Sequence, residues 1–309
     1  MTNGVMPGPG QAFTVLPANR AVTLDNISCP YCGSLLAEKK STKEHVIGRR
    51  FVPKGNLNAC WNLILRACLE CNGRKADLED DISAVTMAPN MSGRYAEDEA
   101  VLREEAERKG RRSLSRRTRK PVINSQERIT VKVPFIQGQL TAEFISPPQI
   151  DMRRVYDLAL LQLTGFFYLL TYQQNEKRGW FWTPVGFHPF EHVIRSDWGN
   201  PTLLAFADAI ANWHPRLIVA SAQGYYRALI RRHPAANCWA WALEWNRNYR
   251  VAGFFGDREA AQQLVNTFPK VELATLHETA TGFVRIRHDV PLRDEDDKLF
   301  NVPGDEGQR

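Results

Sequence analysis

The sequence predicts an α+β protein, with a small metal-stabilised N-terminal module followed by a larger α+β domain. Three observations carry this expectation. Two Cys-x-x-Cys pairs, Cys29/Cys32 and Cys68/Cys71, fall within the first ninety or so residues and mark a compact unit built around a metal. Apolar and polar residues alternate over 128–135, 140–144 and 282–290, as half-buried strands require. Residues 151–173 instead carry Val155, Leu158, Leu161, Phe166 and Leu169 at helical spacing.

Taken in order, residues 1–20 have the composition of a loop, and a first compact unit is expected over residues 21–87. A charged stretch follows. Residues 95–108 are mixed in sign and expected to be helical, whereas Arg108, Lys109, Arg111, Arg112, Arg116, Arg117, Arg119 and Lys120 form a nearly pure basic run, expected as a solvated connector. Next come a hairpin turning at Gln137-Gly138 and a long core helix starting at Asp151. Residues 183–201 read as irregular, with His188 and His192 as loop histidines because Pro189 prevents a helix across them. A helix over 201–213, the apolar run Leu217-Ile218-Val219-Ala220 and a hairpin around Asn246-Arg247-Asn248 follow. Asp257 is placed to cap a helix over 257–268, ahead of the last strand. The expected units are therefore 1–88, the connector 89–120, and an α+β domain over 121–309 suited to recognition or sensing.

Forty Lys and Arg against 34 Asp and Glu leave a net charge of +6, a mild excess that suits a polyanionic partner without requiring one. No apolar run reaches the roughly 20 residues of a membrane helix. The opening MTNGVMPGPG is too rich in Pro and Gly for an export leader, so the chain is expected to be cytoplasmic. Cysteines there stay reduced, which makes the two pairs metal ligands rather than disulfides. Cys60 and Cys238, each beside a tryptophan, are expected as small buried apolar residues. The aromatic cluster over 239–249 is expected as core rather than as a base-stacking surface.

Each Cys-x-x-Cys turns two thiolates toward one point, so Cys29, Cys32, Cys68 and Cys71 together supply a tetrahedral zinc site. Thirty-five residues separate Cys32 from Cys68, more than a simple finger loop, so a substructure is inserted between the knuckles. Within it Glu44 and His45 are adjacent. On a strand they face opposite ways, one able to grip a metal and the other to accept a proton. Asn72 follows the last cysteine, where a helix is expected to begin, and its amide oxygen can join Glu44 as a hard ligand for Mg²⁺.

The order Cys29-Pro30-Tyr31-Cys32, Lys43-Glu44-His45-Val46-Ile47, Asn62-Leu63, then Ala67-Cys68-Leu69-Glu70-Cys71-Asn72-Gly73-Arg74-Lys75 resembles the HNH endonuclease family with its zinc-ribbon cysteines, over residues 25–80. The resemblance implies a ββα-metal module with structural zinc and a catalytic Mg²⁺ or Mn²⁺. It implies His45 as general base, Glu44 and Asn72 as ligands of the catalytic metal, and Asn62 as the residue that shapes the loop and holds His45. Arg74 and Lys75 would face a phosphate backbone. Two positions depart from the family pattern: Glu44 stands where Asp is common, and Gly48 where Pro is common. The implied activity is hydrolysis of phosphodiesters, most readily of double-stranded DNA, leaving 5′-phosphates, in a bacterial or phage-related system of antiviral defence. The alternative is an inactive zinc-ribbon protein that binds nucleic acid or acts as an adaptor. Arg111, Arg112, Arg116 and Arg117 are a second expected contact to phosphates, with a solvated linker face as the equal alternative. A general base must be neutral, so activity is expected to fall in acid near the ordinary imidazole pKa of about 6.5.

Overall fold

The structure, a computed structural model, describes residues 13–15, 20–88, 100–126, 128–135, 138–145, 150–180, 186–279 and 282–301. The N-terminal part contains β1 (Phe13–Val15), β2 (Val22–Thr23), β3 (Ser41–His45), β4 (Leu63–Cys68), α1 (Leu69–Met87) and α2 (Ala100–Arg112). Then come β5 (Arg128–Phe135), β6 (Gly138–Ile145), α3 (Met152–Leu170), β7 (His188–Ile194), α4 (Pro201–Ala209), β8 (His214–Ser221) and β9 (Tyr226–Arg232). The chain continues through β10 (Cys238–Trp245), β11 (Tyr249–Gly256), α5 (Arg258–Thr267), β12 (Ala274–Thr279) and β13 (Gly282–Ile286). The fold class is α+β, as expected. No helix among the described residues is long and apolar enough to cross a membrane.

A six-stranded sheet of order β1-β8-β9-β10-β11-β7 organises the second half. Its strands pair antiparallel except at the β1 edge, where β1 runs parallel to β8. Side-chain alternation sorts residues between two faces. Val219, Ile230, Trp241, Leu243 and Val251 join Leu158 and Phe166 of α3 and Leu63 and Ile82 of the N-terminal module in one cluster. Ile218, Leu229, Ala240, Ala242 and Phe254 face the other way, against Leu203 and Phe206 of α4 and Ala261 of α5. Both faces are covered, so the strands are apolar almost throughout.

Several local expectations are corrected. His188 and His192 lie on β7 rather than in a loop. Pro189 is tolerated because β7 is an edge strand, where one missing N–H breaks no ladder beyond it. Within the stretch expected as loop, Phe13–Val15 pairs with β8. The basic stretch is not a solvated connector in its described part. Leu102 and Ala106 of α2 are buried, Lys109 donates to the Ser83 hydroxyl at 2.7 Å, and Arg116 pairs with Asp77 at 2.8 Å. Acidic residues on α1 attract this segment, and Arg154 from α3 pairs with Asp77 and Asp81 at 2.9 and 2.8 Å. The first residues of the helix expected over 95–108, and Gln137 of the first hairpin turn, lie outside the described residues.

One hydrophobic cluster runs from Leu24 to Phe255, across the boundary expected near residue 88. Trp61 stacks on Phe166 of α3 with centroids 6.1 Å apart, and the Ser221 hydroxyl donates to the Trp61 carbonyl. Gly165 lets α3 approach closely: a Cβ there would meet Val46, the residue after His45, at 2.8 Å. The β10–β11 turn holds the far end of α1. Asn246 and Arg247 take left-handed backbone angles (φ 56° and 53°), which Asn accepts readily. The Asn246 amide donates to the Thr86 hydroxyl at 2.8 Å, and the Asn248 amide donates to the carbonyls of Thr86 and Ala88 at 3.0 Å each. Carbonyls at a helix end need outside donors, and the large sheet supplies them here. Asn248→Ala is expected to lower stability by about 1–3 kcal/mol through unpaired carbonyls, read as a lower urea midpoint. An unchanged midpoint would show that the clasp contributes nothing.

Candidate functional site

The N-terminal module is built from β3 and β4 paired antiparallel, with β2 parallel to β4 on its other side and α1 following β4 directly. Ser28 bridges Leu35, and the Gly33 N–H donates to the Cys29 carbonyl at 2.9 Å, so residues 29–33 form a tight knuckle. Cys68 ends β4 and is the N-cap residue of α1, which places Cys71 in the helix's first turn. The four sulfurs lie within 4.8 Å of one another. Zn–S bonds of about 2.3 Å in a tetrahedron give S···S edges of about 3.8 Å, and Cys32 and Cys68 stand 3.8 Å apart. Four thiols at that spacing fit a metal ion such as zinc. The positive end of α1 works toward the thiolate form that a metal needs, against burial, which pushes the Cys29 thiol up to about 11 and raises Cys71 as well. Of the other two cysteines, Cys238 is fully buried and Cys60 only half-buried.

Tyr31, inside the first knuckle, ties this cluster to the second constellation by donating its hydroxyl to Glu44 Oε1 at 3.0 Å. Glu44 is buried on β3, and the same oxygen is 2.8 Å from the Lys75 ammonium. Lys75 also reaches the His45 carbonyl at 3.0 Å and Glu79 Oε1 at 2.6 Å. Burial works against its charge, but Glu79 and Glu44 outweigh it and hold its pKa above the usual lysine value. At 1% exposure Lys75 is not available to a phosphate backbone, which corrects the expectation for it. Burial pushes the Glu79 carboxyl above the usual carboxylate range, against the pull of the Lys75 ammonium.

His45 Nε2 is buried without a partner. Burial, then Arg49, Lys43 and Lys75, push the imidazole pKa down to about 4. Asn62 lies beside the loop that follows. Its Oδ1 accepts from the Ile47 N–H at 3.1 Å and its Nδ2 donates to the Ile47 carbonyl at 2.7 Å, pinning the chain two residues beyond His45. Asn72 is half-buried in α1, three residues past the helix start, and its side chain has no hydrogen-bond partner among the described residues. Gly48 is explained by Glu79: a Cβ there would meet the Glu79 carboxylate at 2.1 Å, and the Gly48 N–H donates to that carboxylate. Proline would remove the donor and occupy the acceptor's place. Sequence reasoning missed Glu79. Its one signal was the Lys75/Glu79 spacing of one helical turn.

Of the arginines expected at phosphates, Arg74 pairs with Asp157 at 3.0 Å and Arg111 with Glu107 at 3.4 Å, all of them exposed. Arg116 is taken up by Asp77, while Arg112 and Arg117 are exposed. No family model matches the chain, and comparisons with curated proteins and with solved structures return no match. Purified protein is expected to carry about one zinc per chain by elemental analysis. Cys68→Ser should lose that zinc and, with it, much of the module's stability, since metal binding to such a site is folding free energy. Folded protein free of metal would rule the site out.

Proposed function

We propose that this chain is a metal-dependent endonuclease of the HNH type that hydrolyses phosphodiesters in DNA, with structural zinc on Cys29, Cys32, Cys68 and Cys71. The observation that carries this is His45: a neutral imidazole with a buried, unpartnered Nε2, next to a carboxylate and anchored through Asn62, on a ββα unit closed by four thiols. His45 accepts the proton from a water as that water attacks phosphorus in line. Lys43 and Arg49, both exposed beside it, draw the phosphate toward the site. Glu44 and Asn72 are the residues that would hold Mg²⁺ or Mn²⁺, and two protein ligands leave room for the several waters magnesium retains. When bound, such an ion supplies positive charge to the departing oxygen. Action on foreign DNA in a cytoplasmic defence system, with the larger domain recognising the target or a partner, is the setting we assign to this activity. One observation favours a second reading, an inactive binding or adaptor protein: Glu44 Oε1 already accepts from Lys75 and Tyr31. Plasmid nicking with and without Mg²⁺ separates the two.

His45→Ala is expected to lower the cleavage rate by about 10²–10⁴ while zinc content and DNA binding stay at wild-type levels. Asn72→Ala should also cut more slowly, but excess Mg²⁺ or Mn²⁺ should restore it in part and leave His45→Ala unrescued. Asn72 is the cleaner metal variant, because Glu44→Ala would also strip a buried ammonium of a partner, at a cost of about 3–5 kcal/mol. Wild-type cleavage by His45→Ala would remove the histidine from the mechanism.

The pH profile follows from the lowered pKa. The neutral imidazole is the base, and a pKa near 4 keeps it neutral at pH 5 to 6, where a free histidine would already be charged. The acid limb of kcat, measured with saturating substrate, is therefore expected well below 6.5. A limb at 6.5 or above would show that the imidazole is not held in this environment during turnover.

A further inference from the structure

We propose that Arg216 and Arg232, gathered around Trp239 on the six-stranded sheet, form a phosphate-binding site for a nucleic-acid strand. Arg232 on β9 lies directly across from Trp239 on β10. Arg216 is the extra residue of a bulge in β8 between Pro215 and Leu217. Their guanidinium carbons stand 5.7 and 5.8 Å from the Trp239 ring centroid. The ring is itself fixed, stacked on Phe255 at 5.5 Å and 9°, with Phe167 of α3 packed edge-on at 5.5 Å. The two arginines therefore converge on a rigid aromatic platform.

Neither has a carboxylate at ion-pair distance among the described residues, and both converge on one aromatic ring. Arg116 is neutralised by Asp77, and Arg250 by Glu244 and Asp297. Burial and the repulsion of Arg232 hold the Arg216 pKa below the usual arginine value, and the Arg216 Nε is buried with no partner. Two like charges this close raise the free energy of the empty site, and an anion between them reverses the sign. Planar guanidinium forks match phosphate oxygens two at a time. Arg232 is exposed and Trp239 half-buried near the ends of their strands, which suits an extended strand better than a small phosphate ester that needs an enclosing pocket. The choice of a nucleic-acid strand as the polyanion rests on the proposed function. It gives the larger domain a part in holding the strand that the N-terminal module would cut.

The test is binding of a labelled oligonucleotide by full-length protein in EDTA, where nothing is cleaved, over a series of salt concentrations. Arg216→Gln/Arg232→Gln is expected to bind at least about tenfold more weakly, with the slope of log K against log salt shallower by about 1.4–1.8 for two lost phosphate contacts. Circular dichroism checks the fold. If the double variant misfolds, Arg232→Gln alone decides, with about half the change in slope expected. Isotherms that superimpose on wild type overturn the proposal, as does a wild-type protein that binds no oligonucleotide. Loss of binding to pyrophosphate or polyglutamate with oligonucleotide affinity intact overturns it too. Wild-type protein that binds but never cuts with Mg²⁺ removes the nuclease reading and leaves this site standing. Wild-type protein that cuts, with the variant's binding unchanged, removes this site alone.

Discussion

A lysine ammonium at 1% exposure is the constraint around which the N-terminal module is arranged. Taking such an ion out of water costs several kcal/mol even after relaxation, so Lys75 must find partners on every side. It finds three partners on two segments: the Glu44 carboxylate and the His45 carbonyl on β3, and Glu79 one turn further along α1. Glu79 in turn accepts the Gly48 N–H, which carries the network into the loop after His45. A helix tied to a strand in this way cannot slide or rotate against it without exposing an unpaired charge. The direction of His45 is therefore set by a group that never needs to touch a substrate.

The thiol cluster and the large sheet fix the same helix at its two ends. At the N-terminus Cys68 belongs to strand and helix alike, so a metal there sets the angle of the β4–α1 corner. Tyr31 transmits that position to Glu44 through a single hydrogen bond. At the C-terminus the β10–β11 turn supplies the donors that the last carbonyls lack. Between these ends Gly165 brings α3 onto Val46. Loss of the metal would loosen the corner first, while the opposite end stayed clasped.

The parts of this architecture legible in the sequence are those whose chemistry is local. Two Cys-x-x-Cys pairs announce a shared ligand, alternation in the sequence marks β5 and β6, and a short polar turn marks the β10–β11 hairpin. Asp257 caps α5 as read, accepting the Ala260 N–H at 3.1 Å. What escaped depends on distant partners. β9 lies between two strands with residues buried on both faces, so Tyr226-Arg227-Ala228-Leu229-Ile230 shows little alternation. The burial of Lys75 was hidden because a lysine one turn from a glutamate reads as an exposed helix pair. The segment just after α2 is held by carboxylates of α1 more than thirty positions earlier, Ser113 by Asp80 and Arg116 by Asp77, which no window on the basic run contains.

The same distinction governs where positive charge is available to a partner. The run from Arg108 to Lys120 is the most basic stretch of the chain, yet in the fold part of it is used internally: Lys109 reaches Ser83, and Arg116 answers Asp77. Arg216 and Arg232 sit sixteen positions apart in unremarkable strands, and the sheet register makes them neighbours, with no ion-paired acid among the described residues. Around His45 the charges are layered: exposed Lys43 and Arg49 outside, and a buried pair of carboxylates sharing one ammonium beneath. Burial first, and then the outer layer, hold the imidazole pKa down to about 4, and at the proposed site the outer layer would draw in a phosphate while Glu44 in the inner layer would favour a cation. Hydrolysis of a phosphodiester at the proposed site needs both signs within one small volume, and only a fold that buries one of them can keep the two from cancelling.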